Sequence, residues 1–185
     1  MSRKKPAENI PFKLEAFQNI LNFYLFNCPV VIKKRKVSVK GDSFEKMNIT
    51  GSKLTVLLNE MKKSAEYQCI SPKESVEDVF RERKKNTSFS DPGFNLIVFI
   101  ENSDIGKTKT IFYYIRNALA HGDFSIENIC GQRIYTLRSQ KGEVVKGLFR
   151  LKESTLLSWI DLVYQQPQGQ KKTTKNKHKK YKKAS

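Results

Sequence analysis

Arg116, Asn117 and His121 are polar side chains in a segment, residues 108–124, whose apolar residues recur at helical spacing. Asn117 and His121 are four residues apart, so both lie on one face of a helix, and the long side chain of Arg116 can reach the same flank. A guanidinium is a permanently charged, forked ligand for phosphate, and an imidazole can accept or donate a proton near neutral pH. Together these side chains could cleave a phosphodiester without a metal ion.

RNA suits such a site because its own 2′-hydroxyl serves as the nucleophile. In this mechanism His121 acts as general base or acid, a role typically worth roughly 10²–10⁴-fold in rate, and Arg116 stabilises charge on the phosphoryl oxygens. Asn117 holds the imidazole or the phosphate, and Tyr113, one turn earlier, is a stacking platform or part of the core. One histidine per chain cannot easily serve both proton transfers. A homodimer that joins two copies of the site would supply the second.

The run from Arg116 to His121, Arg-Asn-Ala-Leu-Ala-His, resembles the Arg-x4-His signature of the HEPN superfamily, in which asparagine often follows the arginine. The resemblance extends through Gly122-Asp-Phe124, as in a subgroup of prokaryotic HEPN proteins. It implies a helical bundle that dimerises with two motif helices face to face. It also implies a metal-independent endoribonuclease of a toxin, antiphage-defence or RNA-processing system, in which an antitoxin or other regulatory protein is a further expected partner.

One position departs from part of this family. In HEPN toxins that are neutralised by nucleotidyl transfer, a tyrosine stands two places after the histidine, and Asp123 occupies that place here. That mode of control is therefore not expected for this chain. Asp123 could orient His121 or accept a hydrogen bond from Arg116, or it could simply begin the next loop.

The chain is strongly basic, which indicates a polyanionic partner such as RNA. Its 35 Lys and Arg against 18 acidic residues give a formal charge of +17, and the last fifteen residues contribute eight lysines and no acid. The rest of the chain stays basic, with 27 basic and 18 acidic residues. A charge run can also be a mere solvated surface. The residues expected to contact RNA are Tyr113, Lys109, Lys33, Lys34, Arg35 and Lys36.

The sequence predicts a cytoplasmic protein that needs no metal or cofactor. No stretch approaches about 18 continuous apolar residues and no signal peptide is visible, so no membrane contact is expected. The cysteines, Cys28, Cys69 and Cys130, are odd in number and far apart. This fits neither a disulfide framework nor a zinc knuckle and is typical of a reducing compartment. No glycine-rich phosphate loop or His-Glu-x-x-His helix is present.

The pattern of the chain, taken with the resemblance, predicts a mainly all-α domain over residues 1–167 and a disordered Lys-rich tail over residues 168–185. A β-hairpin, residues 133–138 and 144–149, is expected as an insertion before the last helix. The apolar run 94–100 is helix or strand by its pattern, and we favour a helix because the resemblance implies a bundle. The bundle is expected to have four to five helices. One of them is the motif helix, which ends near His121 with Gly122 as its cap. The others are residues 11–27, a stripe from Leu54 to Ala65, a helix beginning at Ser71-Pro72, and residues 152–166.

Two functions compete with catalysis. In one, the protein is a non-catalytic RNA-binding module whose motif only holds phosphate. In the other, it is an interaction subunit in which Arg116 caps carbonyl groups and His121 interacts with the helix dipole. The sequence favours a ribonuclease because both residues are intact.

Deleting the residues after Gly169 should weaken RNA binding without unfolding the protein. The deleted segment carries eight lysines, which displace counterions from RNA on binding, so its loss should flatten the salt dependence of the affinity. The affinity for one RNA, measured at several salt concentrations with the full-length and the shortened protein, tests this. An unchanged salt slope would exclude the tail from RNA binding.

Overall fold

The computed structural model of the protein describes residues 14–88, 91 and 93–165. The helices of this part of the chain are α1 (Leu14–Leu21), which continues as a π-helical turn (Asn22–Phe26), α2 (Ser52–Ser64), α3 (Val76–Ser88), α4 (Gly106–His121) and α5 (Glu153–Gln165). Its strands are β1 (Val31–Ile32), β2 (Arg35–Lys36), β3 (Glu66–Ile70), β4 (Leu96–Ile100), β5 (Phe124–Ile129), β6 (Gln132–Lys141) and β7 (Val144–Lys152).

A mixed five-stranded sheet organises these elements, in the order β3-β4-β7-β6-β5. Strands β3 and β4 are parallel, which requires a crossover, and α3 lies in the connection between them. The other neighbours are antiparallel, and β5, β6 and β7 follow one another as a meander. Strands β1 and β2 form a separate hairpin. The expectation of a mainly all-α helical bundle with a small hairpin insertion is therefore wrong, because the fold is α/β.

The apolar run at residues 94–100 is the main source of that error. It contains strand β4, whose residues are all buried. Ile97 and Phe99 belong to one hydrophobic core, whereas Leu96, Val98 and Ile100 belong to another on the opposite face of the sheet. A strand covered on both faces reads as a continuous apolar run and shows no alternation. The pattern alone could not separate it from a buried helix, and the helix that we favoured is wrong.

The two faces of the sheet carry cores of different size. Helices α1, α2, α4 and α5 contribute to the larger core on one face, whose fully buried side chains include Trp159, Tyr24, Phe112 and Tyr135. The smaller core on the other face is formed with α3, through Val76 and Phe80. Helix α4 therefore packs in the larger layer, among other helices and against the sheet.

Several predicted elements are confirmed with small shifts. The helix expected over residues 152–166 is α5, the hairpin expected over residues 133–149 is β6–β7, and the Leu54–Ala65 stripe is α2, which ends at Ser64. The helix expected from Ser71 begins instead at Val76. Its cap is the Ser75 hydroxyl, which accepts a hydrogen bond from the Asp78 N–H at 3.2 Å. The start of the first helix and the Lys-rich tail lie outside the described residues, where the domain limit at residue 167 also falls.

Within residues 14–88, 91 and 93–165, no helix has the length and the apolar character that crossing a membrane requires.

Replacing Gly147 by alanine should destabilise the fold next to α4. A Cβ atom at this position would lie 2.7 Å from Cδ2 of Tyr114, on α4, and 2.8 Å from Cε2 of Phe149. Overpacking of this kind costs about 1–3 kcal/mol, so thermal denaturation should show a melting temperature lower by roughly 2–4 °C per kcal/mol. Val144→Ala on the same strand is the control, since Val144 is 53% exposed. Equal melting temperatures for the two variants would contradict this packing.

Candidate active site

Helix α4 is held by one broad buried side. Eight of its sixteen residues are buried, among them Ile111, Ile115 and Ala118, which are fully inaccessible to solvent. The hydroxyl of Tyr114 donates a hydrogen bond to the Ile100 carbonyl at 3.1 Å, which ties the helix to the end of β4. Burial of this side leaves the helix no freedom to rotate about its axis.

The prediction that α4 ends at His121 with Gly122 as its cap is confirmed. Gly122 adopts the left-handed conformation, with φ +68°, and follows the last helical residue, His121. The N–H of Asp123 then donates to the Ala118 carbonyl at 2.9 Å, which completes a Schellman-type cap. The chain enters β5 at Phe124, so Asp123 is the residue that connects the capped end of α4 to this strand.

The side of α4 that is not fully buried is a narrow strip. Tyr113, Arg116 and Asn117 are half-buried, and Ala120 and His121 are exposed. Their positions follow the three- and four-residue spacing of one helical face. We call these five residues the α4 strip. The structure therefore brings together all four α4 residues that the sequence predicts for catalysis or stacking, and it leaves them accessible.

The α4 strip forms part of the wall of a cleft with a volume of about 720 Å³, which we call the α4 cleft. A neighbouring cavity of about 600 Å³, between the end of α4 and the β6–β7 turn, shares Asn117 and His121 with it. His121 therefore lies between two concave surfaces. The α4 cleft is also lined by Lys33 in the β1–β2 turn and Val37 after β2, by residues 100–104 at the end of β4 and beyond it, and by Lys141 and Lys146 on β6 and β7.

Arg116 has an unused donor. Its Nε atom is buried and has no hydrogen-bond partner among the described residues. A buried polar atom in this state typically costs about 1–3 kcal/mol, which a ligand that accepts the hydrogen bond would recover. A guanidinium whose only task was to cap carbonyl groups would be expected to use this donor.

Other side chains near α4 are poorly suited to proton transfer or nucleophilic attack. Burial raises the pKa of the Cys28 thiol to about 12, against a smaller opposing effect of the Arg116 charge, and the thiol donates a weak bond to the Phe112 carbonyl at 3.8 Å. Burial likewise raises the pKa of the Tyr114 hydroxyl to about 12. Both groups stay protonated at neutral pH, so Cys28 is not a thiolate nucleophile. The exposed imidazole of His121 is the side-chain type suited to proton transfer near neutral pH.

The lining of the α4 cleft is positively charged on balance. Four basic side chains face two acidic ones, an excess of two positive charges when His121 is neutral. A concave, positively charged surface raises the local concentration of anions. The basic residues are Lys33, Arg116, Lys141 and Lys146, and the acidic ones are Glu101 and Asp104.

The other residues predicted to contact RNA lie in different surroundings. Lys109 forms a salt bridge with Glu45 and does not line the α4 cleft. Lys36 donates from Nζ to the Gly41 carbonyl at 2.7 Å. Lys34 and Arg35 are exposed on the β1–β2 hairpin. Of the basic run, only Lys33 is among the residues that line the cleft.

Asp123 does not contact the motif in the way that the sequence allowed. Its carboxylate lies 3.9 Å from Nε of Arg138, on β6. Arg138 also forms a 3.0 Å salt bridge with Glu77 of α3. The Asp123 side chain therefore joins the end of α4 to the sheet, and Arg138 joins the sheet to α3.

Sequence reasoning missed several of the residues outside α4 that line the cleft. Lys141 and Lys146 lie on either side of the β6–β7 turn, and Asn102 follows β4. The hairpin itself was predicted, but its position beside α4 depends on the sheet. Glycine at the turn next to a lysine, Lys141-Gly142, was the available signal.

The site holds no cluster of metal-binding side chains within the part of the chain that the structure describes. Among the described residues, no group of three or more His, Cys, Asp or Glu side chains is arranged to hold a metal ion. Comparison of the chain with protein-family models, with curated proteins and with solved structures gives no match.

Proposed function

We propose that this protein is a metal-independent endoribonuclease whose site is built on Arg116, Asn117 and His121. The observation that supports this most is the position of all three on the wall of one basic cleft, with a buried Arg116 donor that no described residue uses. A phosphate oxygen is an acceptor of the right charge for that donor. The HEPN resemblance of residues 116–124 points to the same activity. The proposal does not depend on an all-α fold.

The proposed reaction is an internal transesterification. The 2′-oxygen of RNA attacks the adjacent phosphorus, the bond from phosphorus to the 5′-oxygen breaks, and a 2′,3′-cyclic phosphate and a 5′-hydroxyl result. An imidazole removes the proton of the 2′-hydroxyl, and a protonated imidazole gives one to the departing 5′-oxygen. Arg116 stabilises the negative charge on the non-bridging oxygens, and Asn117 orients the phosphate.

Two proton transfers require two groups, and we propose that a second copy of the chain supplies the other His121. The α4 strip is suited to this because it is at least partly accessible along one side of a helix, with the small, exposed residue Ala120 between Asn117 and His121. Two such strips can face each other across a two-fold axis, since an isologous interface is complementary to itself. Each protomer would then contribute one arginine and one histidine.

We place this activity in the cytoplasm, within a toxin, antiphage-defence or RNA-processing system that a regulatory protein controls. The three cysteines are free thiols. Cys69 lies on β3, Cys28 follows the π-helical turn and Cys130 lies between β5 and β6. Free thiols are typical of a reducing compartment, which is also where RNA substrates are abundant.

A non-catalytic RNA-binding module is the second candidate, and one observation favours it. The structure records no hydrogen bond to the imidazole of His121 from any residue that it describes. A catalytic histidine is usually oriented by a third group. In this alternative the same cleft binds RNA through Arg116 and the surrounding lysines and leaves it intact.

Purified protein should cleave RNA in the presence of EDTA and leave 2′,3′-cyclic phosphate ends, because the proposed nucleophile and acid–base groups need no metal. Arg116→Ala and His121→Ala should each slow cleavage by at least about 10²-fold, the range for loss of a charge-stabilising or acid–base group. Cleavage of end-labelled RNA, with circular dichroism of each variant, measures both rate and folding. Lys73→Ala is the control, since Lys73 is exposed in the loop before α3.

The contrary outcomes are distinct from one another. Activity that disappears in EDTA and returns with a divalent ion would overturn the metal-free mechanism. RNA binding without cleavage by the native protein would favour the non-catalytic module. Cleavage by folded His121→Ala at the native rate would exclude that residue from the chemistry.

The native protein should sediment as a dimer at micromolar concentration, and mixing the Arg116→Ala and His121→Ala proteins should not restore cleavage. A mixed dimer contains one His121, and the proposed mechanism uses two. Analytical ultracentrifugation and cleavage assays after subunit exchange test this. Partial recovery in the mixture would show that one arginine and one histidine from different chains suffice, and a monomer that cleaves RNA would exclude the shared site.

A further inference from the structure

Two hairpins contribute lysines to the lining of the α4 cleft. Lys33 lies in the turn of the β1–β2 hairpin. Lys141 ends β6, and Lys146 lies on β7, so both belong to the β6–β7 hairpin. Arg116 and His121 of α4 line the same cleft. The positive charges of the cleft therefore come from α4 and from two hairpins that are far apart in the chain.

The turn of the β1–β2 hairpin is strained. Lys33 and Lys34 are its two central residues, and both have positive φ, +48° and +66°. This is the backbone of a type I′ turn, which strongly favours Asn-Gly because side chains other than glycine resist positive φ. Two consecutive lysines at these positions give up stability. Strained residues of this kind concentrate at ligand-binding sites.

The other bases of the same hairpin are used differently. Lys36 bonds to the Gly41 carbonyl, and this hydrogen bond closes the chain segment that follows β2. Arg35 pairs with Ile32 in the two-stranded ladder and does not line the cleft. The turn, and not the whole basic run, is therefore the part of the hairpin placed to meet a phosphate.

The dimensions and chemistry of the cleft favour a single strand. A volume of about 720 Å³ lies in the range of roughly 300–1,000 Å³ that encloses a ligand of small-molecule size, which corresponds to a few nucleotide units and not to a duplex. The half-buried ring of Tyr113 could stack on an unpaired base, an interaction that pairing and stacking in a duplex prevent. In-line attack by the 2′-oxygen also requires a backbone that is free to leave the A-form.

We propose that the β1–β2 and β6–β7 hairpins form a clamp for single-stranded RNA, in which Lys33 and Lys34 bind phosphate on one side of the scissile position and Lys141 and Lys146 bind phosphate on the other. This inference rests on the proposed ribonuclease function and names its substrate class. It also explains why the strained turn carries lysines, because Lys33 lines the cleft and Lys34 is its exposed neighbour in the same turn.

The role of the turn can be tested with a double substitution that relieves its backbone strain and removes its two lysines. Lys33→Asn/Lys34→Gly supplies the pair that a type I′ turn prefers, so this variant should melt roughly 2–4 °C higher than the native protein. The same variant should bind RNA about tenfold more weakly, with a salt slope reduced by about 1.4, because each phosphate that a lysine no longer neutralises lowers the slope by about 0.7. A variant that is neither stabilised nor weakened in binding would contradict the assignment of the turn.

The second hairpin and the strand preference are tested with an RNA that cannot be cleaved. The probe is a short fluorescein-labelled 2′-O-methyl RNA, used as a single strand and after annealing to its complement, with fluorescence anisotropy as the readout. The native full-length protein should bind the single strand about tenfold more tightly than the duplex, and Lys141→Gln/Lys146→Gln should remove most of this difference because it no longer neutralises the phosphates on that side. Lys73→Gln/Lys84→Gln removes the same charge from exposed positions in and before α3, and it should bind like the native protein.

The results separate the clamp from the catalytic proposal. Native binding by both hairpin variants, in a protein that needs His121 for cleavage, would overturn the clamp and leave the ribonuclease intact. Equal affinity for single strand and duplex would overturn the substrate class. A native protein that neither binds nor cleaves RNA would overturn the proposed function, and the clamp with it.

Discussion

The packing of α4 against the sheet is the interaction on which the rest of the site depends. Half of the helix is buried, and each large apolar side chain contributes about 1.5–3 kcal/mol when it leaves water. This fixes the direction in which Arg116, Asn117 and His121 point. The left-handed Gly122 then ends the helix and sends the chain into β5, and the meander that follows brings the β6–β7 turn beside His121. One packed face thus orients the α4 strip and determines what lies opposite to it.

Local patterns in the sequence predicted the elements whose information is local. The period of α4, its glycine cap, the β6–β7 hairpin and α5 all depend on residues within a few turns of one another. The parallel pairing of β3 and β4 does not, because their partners are about thirty residues apart and α3 lies between them. Burial on both faces also removed the alternation that would have marked β4 as a strand. The pattern of residues 94–100 was therefore ambiguous, and the helix was predicted there only because the family resemblance implied a helical bundle.

The same distinction applies to the site. Asn117 and His121 could be grouped because four residues along a helix place them on one face. Lys109 lies on that helix too, but its salt-bridge partner Glu45 is 64 positions away in the chain, and no local pattern shows the pair. Lys141 and Lys146 became visible only when the sheet positioned the hairpin. Sequence reasoning thus found the residues carried by α4 and also Lys33, and it missed Lys141 and Lys146.

Several features that cost stability are gathered around one cleft, and this argues against a purely structural role for the motif. Lys33 and Lys34 hold positive φ, and Nε of Arg116 is buried with no partner among the described residues. Asn-Gly would relax the turn, and a guanidinium with its Nε atom hydrogen-bonded would cost less. A bound polyanion offsets all three at once, because it accepts the arginine hydrogen bond and neutralises the lysines. Folding stability is lost where a negatively charged ligand would restore it, as expected of a surface shaped for binding.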